Sequence, residues 1–323
     1  KKRFNILKDC KIAMEIDPRF FKQNLTIVLK DCGFDRISIG VQDFSHDVQT
    51  LINRKQSFEI TKETVIHLRE NNISNINIDL IYGLPKQTVQ TFTNTLEKIN
   101  TLRPDRISTF GYAHVPWMKK NQKLIKVEPL NNEDRLKFYR MASHCFLNNG
   151  YEAFGIDHYA EKSSSIIQNL KNRNLQRNFQ GYTEDDSEIL IGIGASSISS
   201  LPNGYVQNIT KIADYMRTLK KNKLPISRGY KLKTEDKIYS IVIKELMCYL
   251  NTDLKQVTKK FSKDINLFSS NIKKLKPFID ADYVNFQNFV LSIKPEARPL
   301  VRVICSVFDQ YFEPQNNRYS FGI

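Results

Sequence analysis

At 323 residues the chain has room for one large or two ordinary domains with a full apolar core, and no run approaches the roughly eighteen apolar residues of a membrane span. Lys1-Lys-Arg-Phe4 lacks a signal peptide's apolar stretch, and the five scattered cysteines (Cys10, Cys32, Cys145, Cys248, Cys305) contain no CxxC pair. A disulfide framework is therefore excluded and a cytoplasmic place expected. The net charge of +15 suits a lysine-rich solvated surface or a surface that attracts a polyanion, and charge alone does not separate the two.

In chain order, strands are expected at Lys11–Ile16, Arg36–Val41, Asn75–Ile81 and Arg106–Tyr112, with helices at Phe20–Cys32 and Ile60–Asn71 between them. Alternation of β and α at this spacing argues for a parallel sheet with right-handed crossovers. The chain opens on Lys1 rather than Met and enters a strand almost at once, as expected of part of a longer protein.

The stretch Asn77-Ile-Asp-Leu-Ile-Tyr-Gly-Leu-Pro-Lys-Gln87 organises the rest. Its strand is too apolar for a surface segment, apart from Asp79. A carboxylate in a buried strand is costly unless paired, so Asp79 is expected near the strand's end. Gly83, Leu84 and Pro85 stop the strand. A helix then starts at Lys86, with Val89, Phe92, Leu96 and Ile99 on one apolar face.

The strand ends supply Glu15 and Asp17, then Gln42 and Asp43, then Asp79, then Tyr112-Ala-His114. Polar groups recurring on one rim of a β/α array favour a ligand site. The plainer reading, that Asp17 and Asp43 cap the helices that follow, serves those two but not Glu15, Gln42 or Asp79.

Further on, Glu133–Asn149 reads as a helix and Tyr151–Ala160 as a strand carrying Asp157 and His158. Arg177-Asn-Phe-Gln-Gly-Tyr-Thr183 is a polar-aromatic loop. In Ile189–Ile198, Gly192 and Gly194 would let a backbone approach a ligand closely. From Thr234 the expected elements are helices at Glu235–Leu250, Leu254–Phe261 and Asn266–Leu275, a two-stranded wing at Tyr283–Val284 and Phe289–Ile293, and a last helix at Arg298–Phe312. That order is winged-helix-like. The second helix lacks an Arg/Asn/Gln row to read base edges, which favours a packing module over nucleic-acid recognition.

Taken together, Met14-Glu-Ile-Asp-Pro-Arg19, Ile39-Gly-Val-Gln-Asp-Phe44, Asn53-Arg54, Asn77–Thr88, Tyr112-Ala-His114, Gly155-Ile-Asp-His-Tyr-Ala160 and Arg177–Thr183 resemble the oxygen-independent coproporphyrinogen III oxidases, radical S-adenosylmethionine (SAM) enzymes of haem biosynthesis. The resemblance implies an α/β fold: a partial (β/α)6 barrel lacking its first two βα units, over residues 1–230, and a mostly helical, winged-helix-like domain over 231–323. It implies two SAM molecules and, in the complete protein, a [4Fe–4S] cluster. Glu15 and Ile198 match positions that contact the cluster-bound SAM. Gln42, Arg54, Asp79 and Ala113 match positions around the second SAM. The implied reaction decarboxylates two propionates of coproporphyrinogen III to vinyl groups through a SAM-derived 5′-deoxyadenosyl radical, giving protoporphyrinogen IX. An electron donor, a monomeric state, and no membrane or nucleic-acid partner are expected with it.

The family's CxxxCxxC loop is absent, and Ser320-Phe-Gly-Ile323 stands where the family has Ser-Arg and apolar residues. The chain alone is accordingly expected to be inactive. The alternatives are the related haem-binding chaperone and a cluster-free relic. The chaperone carries a Trp after the loop tyrosine, whereas the only tryptophan here is Trp117.

Overall fold

Alternation decides the architecture. In β1 (Ala13–Ile16), and above all in β2 (Arg36–Gln42), every second residue is apolar, and Ile37, Ile39 and Val41 are almost fully buried; between them the chain forms helix α1 (Gln23–Cys32). The chain continues through α2 (His46–Leu51), α3 (Phe58–Glu70), β3 (Asn75–Tyr82), α4 (Val89–Leu102), β4 (Arg106–Gly111) and α5 (Asn132–Asn148) to β5 (Tyr151–Phe154) and β6 (His158–Glu161). The computed structural model describes residues 5–7 and 9–313, so the expectations placed on Lys1–Phe4 and Ser320–Ile323 lie outside the described residues.

The six strands form one sheet in the order β1-β2-β3-β4-β6-β5. The first four are parallel, in the register Glu15↔Ser38↔Asn77 and Gly40↔Asp79↔Ser108. Ile37, Ile39, Ile76, Ile78, Leu80, Tyr82 and Ile107 share one face and pack with Leu29, Leu68, Phe92, Leu96, Phe138 and Phe146 from the helices. The other face carries Glu15, Ser38, Gly40, Asn77, Asp79 and Ser108. Parallel sheets are ordinarily apolar on both faces, so a polar face is a departure that calls for a chemical reason.

Several expectations change on contact with the structure. Tyr151–Ala160 is a hairpin, not one strand, and β6 runs antiparallel to both β5 and β4. Only three residues join β5 to β6, far short of the dozen or so that a parallel crossover needs, so the sheet is mixed. Asp79 is the fifth of eight strand residues rather than a terminal one, because Ser38 and Asn77 satisfy it in mid-strand. Helix α4 starts at Val89, with Thr88 as its cap, because Lys86 takes a left-handed conformation (φ 66°). Val89 itself is exposed, while Phe92, Leu96 and Ile99 face the core. The short α2 has no counterpart among the expected elements.

The described chain divides into two compact units, one running to Ile167 and one covering Gln168–Phe312. This division falls earlier than the boundary at 230/231 expected from the sequence. After α6 (Ser165–Lys171), the second unit contains the hairpin β7 (Gln176–Asn178) and β8 (Gly181–Thr183), then β9 (Ile198–Leu201) and β10 (Gly204–Asn208). Next come α7 (Ile212–Lys220) and β11 (Ile226–Lys231), which joins β9 and β10 in a three-stranded sheet. The early strands belong with this unit because Lys244 and Tyr249 of α8 (Thr234–Tyr249) hydrogen-bond to Gln176 and Leu175.

The remainder is β12 (Asn251–Asp253), α9 (Leu254–Lys260), α10 (Ser269–Asp280), β13 (Val284–Gln287), β14 (Val290–Ile293) and α11 (Val301–Ser306). The expected two-stranded wing acquires β12 as a third strand. The expected last helix, Arg298–Phe312, is a 3₁₀ turn over Pro295–Leu300 followed by the short α11; a proline at 299 cannot donate to a continuous α ladder.

Candidate cofactor site

The polar face of β1–β4 is linked by side chains from three strands. Ser108 Oγ donates to Asn77 Oδ1 at 3.1 Å. Asn77 Nδ2 donates to Ser38 Oγ and to Asp79 Oδ1, each at 2.8 Å, and Ser38 Oγ donates to Asp79 Oδ2 at 3.0 Å. Glu15, exposed on β1, is the register partner of Ser38.

Beside this row stands a guanidinium held from two sides. Arg54 Nη2 donates to the Gly40 carbonyl at 2.7 Å and Nη1 to Asp17 Oδ2 at 3.1 Å. Asp17 also takes a fork from Arg19, with bonds of 2.6 to 3.2 Å, and this holds its carboxyl below the usual carboxylate range. Burial pulls Arg54 below the usual arginine value, and its Nε is buried with no hydrogen-bond partner. Two guanidiniums against one carboxylate leave positive charge at this place. Gly40 is what lets them gather: a Cβ there would lie 2.9 Å from Gln42 Nε2 and 3.1 Å from Arg54 Nη2. Gln42 bends toward the same point, with φ at 70° where the β2–β3 register shifts.

The structure thus brings Gln42 and Arg54 together over Gly40, the register partner of Asp79, with Glu15 further along the same face. Arg54 pairs with Asp17, not with Asp79. Ala113 follows β4, where Gln122 clamps the loop by donating to the Ala113 carbonyl at 2.9 Å and accepting from Val115 N–H at 2.6 Å. Ile198 opens β9 in the second unit, where Gly192 passes so close that a Cβ would lie 2.8 Å from the Ile198 carbonyl. The polar groups of this glycine loop are met by Ser199, Asn208 and Tyr215. The close approach expected of Gly192 is to its own chain.

Asp17 and Asp43 do not cap helices. The caps of α1 and α2 are Lys22 and Ser45. Asp43 is fully buried, and burial pushes its carboxyl up. Gln87 donates to its Oδ2 at 2.6 Å, and Ser45 N–H and Thr95 Oγ1 donate to Oδ1 at 2.5 and 3.3 Å. Gln87 also donates to the Ile81 carbonyl at 2.9 Å and accepts from Gly83 and Leu84 N–H at 2.7 and 3.2 Å, so it ties the loop after β3 to the loop after β2. His158 Nδ1 meets Asp157 at 2.8 Å on β6.

Sequence reasoning missed Ser38, Asn77, Ser108, Asp17 with Arg19, Gln87 and Gln122 as site-building residues. Asn77 had a signal, since it stands two residues from Asp79 on one strand and shares its face; Ser38 and Ser108 join them only through the register of neighbouring strands. The rest act through contacts between loops, which leave no local pattern.

A half-open α/β sheet with helices on one face and polar groups on the other is the radical SAM class of fold, and the profile of the Radical SAM superfamily matches residues 1–99. A Cereibacter sphaeroides protein named coproporphyrinogen III oxidase, anaerobic 1, is 39% identical over 318 residues, 97% of this chain and 69% of that protein. The oxygen-independent coproporphyrinogen III oxidase of Helicobacter pylori is 37% identical over 98% of this chain and 70% of its own. The solved coproporphyrinogen III oxidase of Escherichia coli, a radical SAM enzyme, superposes with a TM-score of 0.92 at 33% identity, covering 96% of this chain and 72% of that one. The chain belongs to the family of oxygen-independent coproporphyrinogen III oxidases. SAM and a [4Fe–4S] cluster are the cofactors of this family.

The residues present fit one of these groups and not the other. SAM offers a carboxylate, an ammonium and ribose hydroxyls, which match the positive charge of the Arg54 guanidinium and the acceptor Asp79. The cluster needs three converging thiolates. Among the described residues no three His, Cys, Asp or Glu side chains gather as a metal site, and burial pushes Cys248 and Cys305 up to about 12. No helix among the described residues is long and apolar enough to cross a membrane.

Proposed function

We propose that the polar face of β1–β4 is the SAM-binding surface for the oxidation of coproporphyrinogen III. In this reading Arg54 takes the carboxylate of the second SAM, Asp79 accepts from its ammonium or ribose hydroxyls, and Gln42 and Ala113 line the same ligand. Glu15 keeps the role implied by its family position, contact with the cluster-bound SAM. When bound, SAM with the cluster supplies the hydrogen-abstracting chemistry by which two propionates lose CO2 and become vinyl groups, giving protoporphyrinogen IX. An electron donor and a monomeric enzyme belong to the same reading.

The chain's own residues bind and orient. Asp17 and the Gly40 carbonyl fix the Arg54 fork before ligand arrives, so little side-chain entropy remains to be lost on binding. The pinned fork is the observation that carries the proposal: Arg54 and Arg19 share the one Asp17 carboxylate, and the surplus positive charge is stabilised by an incoming carboxylate. Calorimetric titration of the chain with SAM tests it. Arg54→Ala is expected to weaken SAM by about ten- to a hundredfold, the loss of one charge-assisted hydrogen bond or slightly more. An Arg54→Ala protein that binds SAM as tightly as the parent would overturn the assignment.

A further inference from the structure

We infer that Asn77, oriented by Ser108, is the positioning residue that aims Asp79 at SAM. The inference deepens the SAM reading above and rests on it. The ground is a proton count. Ser108 has one hydroxyl proton and gives it to Asn77 Oδ1. The Asp79 carboxylate, which only accepts, settles which way the amide faces, because the flipped amide would turn its oxygen toward it; Ser108 then holds the amide in that orientation by donating to Oδ1.

With the amide so fixed, both Nδ2 protons are committed, one to Ser38 Oγ and one to Asp79 Oδ1. Ser38 accepts from Asn77 and has one proton left, which it gives to Asp79 Oδ2. Every hydrogen bond in the row therefore runs toward the same carboxylate.

The consequence for Asp79 is specific. Each carboxylate oxygen receives one donor from the protein, out of roughly two acceptor positions per oxygen. The carboxylate is thereby held against rotation about its last bond, while one acceptor position on each oxygen is left for donors from outside. A pair of ribose hydroxyls or an ammonium group supplies donors of that kind. Three adjacent strands contribute one member or more each, in a register set by the sheet, so the aim is built into the least deformable part of the unit. Asn77 touches no ligand in this account; it acts through Asp79, and Ser108 acts through Asn77.

The test is SAM affinity, by calorimetry, for the chain and its Asp79→Asn, Asn77→Ala, Ser108→Ala and Ser108→Thr variants, with thermal melting of each in the absence of SAM. Asn77→Ala is expected to weaken SAM about tenfold and Ser108→Ala about threefold, the order of one hydrogen bond or less acting at one remove. Ser108→Thr keeps the hydroxyl and should restore the parent affinity. Because Ser108 works only through Asn77, the double variant Asn77→Ala/Ser108→Ala should bind no more weakly than Asn77→Ala alone. If Asp79→Asn weakens SAM but Asn77→Ala and Ser108→Ala merely lower the melting temperature, the positioning role is overturned and the SAM reading stands. If Asp79→Asn leaves the affinity unchanged, or the unaltered chain takes up no SAM, the SAM reading fails and the inference fails with it.

Discussion

Gln87→Leu should be the most destabilising single change among the loops at the carboxyl ends of β2 and β3. The Gln87 side chain is buried and makes four hydrogen bonds, to Asp43 Oδ2, the Ile81 carbonyl, and the N–H groups of Gly83 and Leu84. Leucine keeps the volume and orphans all four partners, at about 1 kcal/mol each for neutral groups and somewhat more for a carboxylate. Added apolar burial returns about 1 kcal/mol, leaving a net loss of about 3–4 kcal/mol. The cost should also depend on pH. Burial raises the Asp43 carboxyl, so the stability it contributes is full below the ordinary carboxylate value and is lost as pH rises through its raised folded value. Gln87 opposes that rise, so its removal should cost more at pH 8, where the charged Asp43 keeps Ser45 N–H and Thr95 on Oδ1 but has lost the donor to Oδ2, than near pH 4. Urea denaturation followed by circular dichroism and by Trp117, which lies in the same unit, gives the free energies; amide exchange at Gly83 and Leu84 gives the local loss. A loss under about 1 kcal/mol, or equal losses at the two pH values, would refute the argument.

Other outcomes follow from the same geometry. Gly40→Ala should leave the fold intact and displace Arg54 and Gln42, whose side chains lie 3.1 and 2.9 Å from the new Cβ, so SAM affinity should fall while melting changes little. Asp17→Asn should lower stability at pH 7 by about 1–2 kcal/mol, and the difference from the parent should close as pH falls through the depressed folded value of Asp17, measured by urea denaturation across pH 2–7. Anaerobic reconstitution of the chain with iron and sulfide should yield no stoichiometric [4Fe–4S] absorption, because its five cysteines stand on separate elements; a full cluster spectrum would contradict that placement.

How much of this was legible beforehand depends on the range over which each contact acts. The four parallel strands and their helices were readable because burial on a strand or helix face repeats along the chain: Ile37, Ile39 and Val41 are two apart, and Phe92, Leu96 and Ile99 are one helical turn apart. The β5–β6 hairpin was not, because Tyr151–Ala160 is apolar enough to pass for one strand and its reversal is set by only three residues. The winged-helix-like order was visible from helix spacing, whereas the third wing strand, β12, is three residues long and exists through pairing with β14.

The site was legible in its members and not in its pairings. Asp79 was expected at a strand end because a lone carboxylate inside a strand is costly. That premise holds, but the partners that remove the cost are Ser38 on β2 and Asn77 two residues upstream, and only the register of β2 against β3 brings them together. Arg54 presented the opposite case. No local pattern points to its partner, and Arg54 reaches Asp17, distant in sequence and already engaged by Arg19. Two cations sharing one anion cannot both be neutralised, and so the loop contact that sequence could not reveal is also the one that leaves positive charge beside Gly40.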